Sequence, residues 1–459
     1  MSMTSPTSTA ERLDRLPFQG PVVRIVLLIA LGFGLEIYDL FLTAYIAPRL
    51  VQLGFFTPDS LGPLAALRAI GIHGAGSFVF SLFSGLLVGS MMFSRIADRF
   101  GRRTVFALSM VGYSACTGIM AFQTTGYGID VWRFLAGVGL GVELVTIDAY
   151  LAEWVAPAYR GRAFALCQLV GFSFVPLVAF CAWWLVPQTP LGIEGWRYVV
   201  LIGSIGAIAA WILRIRLRES PRWLEAQGRA VEAALILDEV EQDYPKGALE
   251  IAKPAIFPTA QTGLSPTALR RRIAVLSVFN FFQTFGYYGF SAWVPTLLMA
   301  RGIEVTKSLE YAFIIALANP IAPMIGLWLG DRIERKWQIV IGALVVGLSG
   351  IAFSAATTTE LIVICGVFVT LGNNLLSYAF HGYQSELFPT SVRSRNIGFV
   401  YGWSRVSAAL SGPIFAALLG VGGTDLVFAF IALSMLIVVI SIGVYGPHTS
   451  GKSLETITS

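Results

Sequence analysis

The chain alternates long apolar runs with short polar breaks. Twelve runs reach the about 20 residues that a helix needs to cross a bilayer. They cover roughly 22–47, 76–97, 104–123, 128–152, 162–187 and 196–216, then 273–299, 309–330, 337–356, 360–384, 396–420 and 425–446. Between the sixth and seventh lies a polar stretch, 217–272, carrying Pro221, Pro245, Pro254, Pro258 and Pro266. The pattern predicts an all-α integral membrane protein with twelve transmembrane helices in two pseudo-symmetric six-helix bundles. The expected division is a polar segment 1–21, an N-terminal bundle 22–216, a linker with amphipathic helices 217–272, a C-terminal bundle 273–446 and a tail 447–459. In the linker, Ser220-Pro221-Arg222-Trp223-Leu224 reads as an N-cap with proline at the first helical position. Leu224, Val231, Leu235 and Val240 continue a predicted apolar stripe.

Composition sharpens this picture by exclusion. The 459 residues are 56% hydrophobic and 13% charged, whereas a soluble domain carries about 25% charged residues. That excludes a cytosolic enzyme, a secreted domain and a nucleic-acid binder, despite the net charge of +5. The basic excess is topological. Twenty-five of the 32 Lys and Arg fall on the side that holds both termini, with Arg49, Arg68, Arg197, Arg301 and Lys307 opposite. The positive-inside rule therefore puts both termini in the cytoplasm. The first run lacks a small-residue cleavage site and is expected to be a retained span, and the absence of long outer loops favours a bacterial inner membrane. No metal cluster, phosphate-binding glycine loop or nucleophile elbow is present, so neither an enzyme nor a cofactor is expected. The expected partners are a small-molecule substrate and lipid, with the protein working as a monomer.

An internal repeat supports two related halves. Asp98-Arg99-Phe100-Gly101-Arg102-Arg103 recurs as Asp331-Arg332-Ile333-Glu334-Arg335-Lys336, and Glu153, Pro157, Arg160 and Arg162 recur as Glu386, Pro389, Arg393 and Arg395, both at an offset of 233 residues. Such parallel repeats build many secondary transporters. The first of these loops, Arg133-x-x-x-Gly137-x-Gly139-x-Gly141 and Tyr150-x-x-Glu153-x-x-x-Pro157-x-x-Arg160-Gly161-Arg162 resemble signature loops of the major facilitator superfamily. Glu219-Ser220-Pro221-Arg222-Trp223-Leu224, Glu386-x-x-Pro389-Thr390-x-x-Arg393 and Gly451-Lys452-Ser453-Leu454-Glu455 are similar to motifs of its sugar-porter and metabolite–proton symporter branches. Two loop positions depart from that pattern, Ser94 and Glu334, each standing where glycine is usual. The polar amides of hexose porters are sparse: Gln168 remains, but Val175 fills the second amide position of the fifth span. Glu143, Arg405 and the run Gln283-Thr284-Phe285-Gly286-Tyr287-Tyr288 look more like the organic-ion, nicotinate-type branch.

Ionisable groups inside the spans carry the functional expectation, because each costs about 2.5–3.5 kcal/mol at mid-bilayer. Six stand out: Glu36 and Asp39 in the first span, Arg133, Glu143 and Asp148 in the fourth, and Arg405 in the eleventh. The resemblance implies that Asp39 carries the coupling proton with Arg133 as its partner, a structural bridge being the alternative. Glu36, three residues earlier, projects from roughly the same face, so the two acids are expected to share a proton. Glu143 and Asp148 are further coupling candidates. Arg405 presents a planar fork suited to a carboxylate, the alternative being a salt bridge to an acid of the first or fourth span. Gln168, Gln283, Tyr287, Tyr288, Asn319, Asn373, Asn374 and Tyr378 are candidate substrate contacts. Asp98, Arg102, Glu153, Arg160, Asp331, Arg335, Glu386 and Arg393 are expected to form gate salt bridges at the cytoplasmic ends. Trp183, Trp184 and Trp293 read as interfacial belt residues. The expected function is proton symport of a small organic acid by alternating access, nicotinate and benzoate being examples. Sugar or polyol symport is the second reading, and organic cation or drug export the third.

Overall fold

The computed structural model describes residues 9–70, 72, 74–156, 159–215, 217–245, 265–329, 333–388 and 393–448, and they contain helices and turns with no strand. In the first half run α1 (Thr9–Asp14), α2 (Gly20–Gln52), α3 (Pro58–Leu61), α4 (Ala75–Phe100), α5 (Arg102–Met120), α6 (Gly126–Trp154), α7 (Arg160–Phe172), α8 (Phe174–Leu185) and α9 (Gly195–Arg214). Two short helices, α10 (Pro221–Ala226) and α11 (Ala230–Gln242), connect the halves. The second half holds α12 (Pro266–Ser291), α13 (Val294–Ala300), α14 (Val305–Ala316), α15 (Ile321–Leu329), α16 (Arg335–Ala355), α17 (Thr359–Glu386) and α18 (Arg393–Tyr445). The twelve apolar runs all fall on these helices, the last two on α18, which is broken at Gly423 (φ 63°).

Three runs expected to be continuous are broken, and in each a proline explains the place. Proline lacks the N–H for the bond to residue i−4, and its ring collides with that residue's carbonyl. Pro176 lies four residues beyond Phe172, where α7 ends; Pro295 four beyond Ser291, where α12 ends; Pro320 four beyond Ala316, where α14 ends.

Helices approach closely where glycine removes the side chain. A Cβ on Gly137 or Gly141 of α6 would lie 2.4 or 2.3 Å from the Leu82 or Leu86 carbonyl oxygen of α4, and one on Gly139 would lie 2.9 Å from Tyr113 Cβ of α5. Close backbone contact supplies the packing that lipid cannot drive by hydrophobicity. Gly101 has φ +95° at the α4–α5 turn. Its repeat counterpart Glu334 has φ −54°, so this turn needs no glycine, and the carboxylate instead meets His448 at 3.0 Å.

The N-terminal segment and the connecting helices form one unit at what is here termed the terminal face. Ser220 caps α10, its hydroxyl accepting from the Trp223 amide at 3.2 Å. Arg12 of α1 bridges Asp238 at 2.6 Å and Glu241 at 2.7 Å, and Arg222 bridges Asp14 at 2.6 Å. Leu13, Leu16, Leu237, Val240 and Tyr244 pack beneath these ion pairs. The expected stripe is half correct: Leu224 and Val240 are buried, but Val231 and Leu235 are exposed. Gly228 (φ +76°) turns the chain between α10 and α11, so one helical period does not carry across.

Candidate functional site

The N-terminal half buries two ion pairs. Asp39 lies mid-way along α2 and Arg133 in the first third of α6, at 2% and 0% exposure. Arg133 Nη1 donates to Asp39 Oδ2 at 3.0 Å, its Nε donates to Thr43 Oγ1 at 2.8 Å, and its Nη2 donates to the Asp39 carbonyl. Thr117 of α5 donates to Asp39 Oδ1 at 3.0 Å. The pair thus joins α2, α5 and α6, with the Phe78 ring of α4 5.9 Å from the guanidinium.

The second pair was not foreseen as a pair. Glu143 of α6 accepts from Arg214 Nη1 at 2.7 Å, both groups being almost wholly buried. Charge counting places Arg214 in the connecting loop; the structure makes it the last residue of α9, turned into the bundle. Its Nε and Nη2 donate to the carbonyls of Leu28 at 3.1 Å and Ile29 at 2.7 Å on α2.

In the C-terminal half, Arg405 is 6% exposed. Its guanidinium sits 4.9 Å from the Tyr401 ring centre, with Nη2 3.3 Å from the Tyr401 hydroxyl, and it interacts electrostatically with Tyr288. His381 of α17 closes this group, 5.8 Å from Tyr401 between ring centres. Tyr288 packs edge-on to Tyr287 at 5.0 Å and reaches Phe83 of α4 at 4.6 Å. Tyr287 and Tyr288 are half-buried. Glu36 of α2, 1% exposed, interacts electrostatically with Arg405 and Tyr288 across the boundary between the halves. Of the two acids expected as one shared site, Asp39 is paired with Arg133, while Glu36 interacts electrostatically with Arg405 and Tyr288.

Among the described residues, the buried arginines are Arg133, Arg214 and Arg405. The first two are each held by a carboxylate. Arg405 has aromatic and hydroxyl partners, with Glu36 acting at longer range.

The amides expected to contact substrate are occupied in packing. Asn373 donates to the Gly286 carbonyl at 3.1 Å, Asn374 to Asn319 Oδ1 at 3.0 Å, and Gln283 to Thr284 Oγ1 at 3.0 Å. The two asparagine bonds tie α17 to α12 and to the α14–α15 turn. Gln168 and Tyr378 are half-buried on α7 and α17. Of the gate candidates, Arg160 donates to the Val155 carbonyl at 3.2 Å, Glu153 is half-buried, and Arg335 lies over Gly382. Asp331 and the side chains of Asp98, Arg102, Asp148, Glu386 and Arg393 lie outside the described residues.

The halves meet tightly at the far face. Trp183 of α8 stacks on Phe313 of α14 at 5.6 Å, and α4 and α18 cross where Gly76 faces Gly412. Trp293 is 2% exposed and stacks on Phe415, so Trp183 and Trp293 are packing residues; Trp184, 60% exposed, keeps a surface position. A groove of about 340 Å³ at the terminal face, lined by Arg103, Glu219, Arg229 and Glu232 among others, is separate from the intramembrane charges.

Three residues escaped the sequence reading. Arg214 ends an apolar run and so counts as a loop charge. Asp130, 1% exposed against Ser77, lies three residues before Arg133, a spacing that marks a shared helical face. Tyr113, 1% exposed, carries no charge to signal it.

Comparison with known proteins gives a consistent neighbourhood. The family described as "Sugar (and other) transporter" matches residues 25–459. The putative metabolite transport protein YyaJ of Bacillus subtilis is 28% identical, covering 98% of this chain and 97% of its own length. The niacin transporter NiaP of Acinetobacter baylyi is 27% identical, covering 97% and 98%. The xylose transporter XylE from E. coli, in a partially occluded inward-open conformation, superposes with a TM-score of 0.76 at 20% identity, covering 94% and 99%.

Proposed function

The chain belongs to the sugar (and other) transporter family of the major facilitator superfamily, and from that premise we propose that it carries a small organic acid together with a proton. It is a membrane transporter and not an enzyme. The observation that carries the acid reading is Arg405. A buried cation without a neutralising partner is costly in a membrane interior. The other two buried arginines have carboxylates of their own, so a substrate carboxylate is the natural counter-ion for the third. Tyr288, Tyr287 and Tyr401 offer ring faces beside it, which suits a flat aromatic acid such as nicotinate or benzoate.

The same geometry supplies coupling. With Glu36 ionised, its field partly offsets the charge of Arg405 from a distance and competes with an incoming anion. Protonation of Glu36 frees the guanidinium for substrate, so proton and acid favour one another's binding. Asp39, held by Arg133 and Thr117, is the second proton carrier, released as α2 and α6 shift during alternating access. Both termini face the cytoplasm, the membrane is a bacterial inner membrane, and protons are the coupling ion with no prosthetic group. The protein works as a monomer, divided as 1–21, 22–216, 217–272, 273–446 and 447–459. Asp98, Arg102, Glu153, Arg160, Asp331, Arg335, Glu386 and Arg393 act as the cytoplasmic gate, with Asp148 a further coupling acid.

The family and the xylose transporter favour a sugar as the second reading. Against it, the amide donors of Asn373 and Asn374 in the C-terminal half are given to neighbouring helical segments. Uptake of labelled nicotinate, benzoate and xylose into proteoliposomes under an inward proton gradient separates the two. Accumulation of one or both acids, collapsing with a protonophore, is expected. Accumulation of xylose alone contradicts the proposal.

A further inference from the structure

Glu143 and Arg214 lie outside the Asp39–Arg133 and Arg405 sites, and three details set them apart from a simple structural bridge. Only one carboxylate oxygen is used: Oε1 takes Arg214, while Oε2 is buried with no hydrogen-bond partner. A bridge serving packing alone gains most when both oxygens are satisfied. The guanidinium also has its own berth. A Cβ on Gly32 would lie 1.7 Å from Arg214 Cζ, so glycine there is the notch that admits it. Two α2 carbonyls hold Arg214 independently of Glu143, and its place at the C-terminal end of α9 favours a cation. Glu143 can therefore become neutral while Arg214 stays where it is.

Tyr113 of α5 connects this pair to the acids of α2. Its hydroxyl is buried with no hydrogen-bond partner, and it lies in the field of Glu143, Glu36 and Asp39 together, opposed by Arg214. Along α5, Tyr113 lies between Met110, which meets Arg214, and Thr117, which donates to Asp39, so its turn of the helix falls between the two buried pairs. Met110, one turn earlier on α5, touches Arg214 through its sulfur at 3.5 Å.

We propose that Glu143, with Arg214 seated in the Gly32 notch, is a further proton-binding site, distinct from the α2 acids and filled from them through the Tyr113 hydroxyl. The transfer needs a shift of α2 or α6 that brings the Tyr113 hydroxyl within hydrogen-bond reach of both acids; a protonated Asp39 or Glu36 then gives its proton to the Tyr113 oxygen while that phenol passes its own proton to Glu143 Oε2. One carboxyl becomes a carboxylate, the other becomes neutral, and the phenol ends as it began. Glu143 lies further along α6 toward the terminal face than Arg133, so the step moves the proton toward that face. The proposal rests on the proton-coupled reading above, but part of its test does not.

Infrared difference spectra of the substrate-free protein, titrated from alkaline to acid, report protonated carboxyls by their C=O stretch. A titrating carboxyl band is expected in the wild type and lost in Glu143→Gln. Gly32→Ala, which displaces the guanidinium, should shift that titration. If Glu143→Gln does not fold, Glu143→Asp serves instead, and a displaced titration is expected. A band unmoved by any of these substitutions makes the pair a structural tie and overturns the proposal. In proteoliposomes with whichever of labelled nicotinate and benzoate the wild type accumulates, Tyr113→Phe should lose gradient-driven accumulation while exchange of that acid persists; unchanged accumulation overturns the relay. If the wild type moves neither nicotinate nor benzoate, the acid-symport reading fails, and the infrared titration still decides the role of Glu143.

Discussion

Arg405→Ala is expected to abolish saturable nicotinate or benzoate uptake while leaving the fold intact. Truncating one partner of a buried, hydrogen-bonded charge pair costs about 2–5 kcal/mol of binding, at about tenfold in affinity per 1.4 kcal/mol. Arg405→Lys should recover only part of it, because a lysine is a point charge without the planar two-pronged donor. The effect on stability is the sharper discriminator. Removing Arg405 breaks no close intramolecular ion pair, so the loss should be limited to its ring and hydroxyl contacts with Tyr401, about 1–2 kcal/mol. Arg133→Ala instead strands Asp39, a change of about 3–5 kcal/mol. Binding titrations and thermal melts of the two variants should therefore separate: Arg405→Ala stable and silent, Arg133→Ala unstable. A strong loss of stability in Arg405→Ala would make Arg405 a structural residue.

Substitution of Gly412 is expected to open the far face. A Cβ there would lie 2.7 Å from the Gly76 carbonyl oxygen and 2.9 Å from the Phe80 amide nitrogen, and a Cβ on Gly76 would lie 2.9 Å from the Gly412 oxygen. These are backbone atoms and cannot swing aside as a flexible side chain would. Overpacking of this kind typically costs about 1–3 kcal/mol. Here the cost falls on the closed far face alone, because the halves can separate there without unfolding. Gly412→Ala should shift the equilibrium about tenfold toward far-face opening and Gly412→Val further, with transport falling in the same order. Electron–electron distance measurements between spin labels at Val51 and Lys307, exposed far-face positions on opposite halves, should show a longer separation in the variants. An unchanged distance with wild-type uptake would show that the α4–α18 crossing is not a closure.

Much of this architecture is legible in the sequence because lipid imposes one rule, a continuous apolar run, on every span. The breaks in the fifth, seventh and eighth runs were not expected, since hydropathy averages across them, although Pro176, Pro295 and Pro320 mark each one. The linker stripe failed at Gly228 for a related reason: periodicity holds only within one helix. The site was legible where a charge sat well inside a run, as with Asp39, Arg133, Glu143 and Arg405. It was not legible where partnership depends on how helices pack. Arg214 looks like a loop residue until Gly32, 182 positions earlier, makes room for it. Glu36 and Asp39 share a helical face by spacing, yet neighbouring helices give them different partners. The amides Asn319, Asn373 and Asn374 read as substrate contacts because a polar group inside a span needs a partner, and sequence alone does not distinguish a ligand from another helix.

The most direct test is proton movement driven by the acid itself. Proteoliposomes loaded with a pH-sensitive dye, with no imposed gradient, are given external nicotinate or benzoate, and internal acidification is followed against protein-free liposomes. The wild type should acidify faster than the protein-free control with at least one of these acids and not with xylose, and Arg405→Ala and Asp39→Asn should not. Acidification by xylose and by neither acid, or an Arg405→Ala variant as fast as the wild type, would contradict the account.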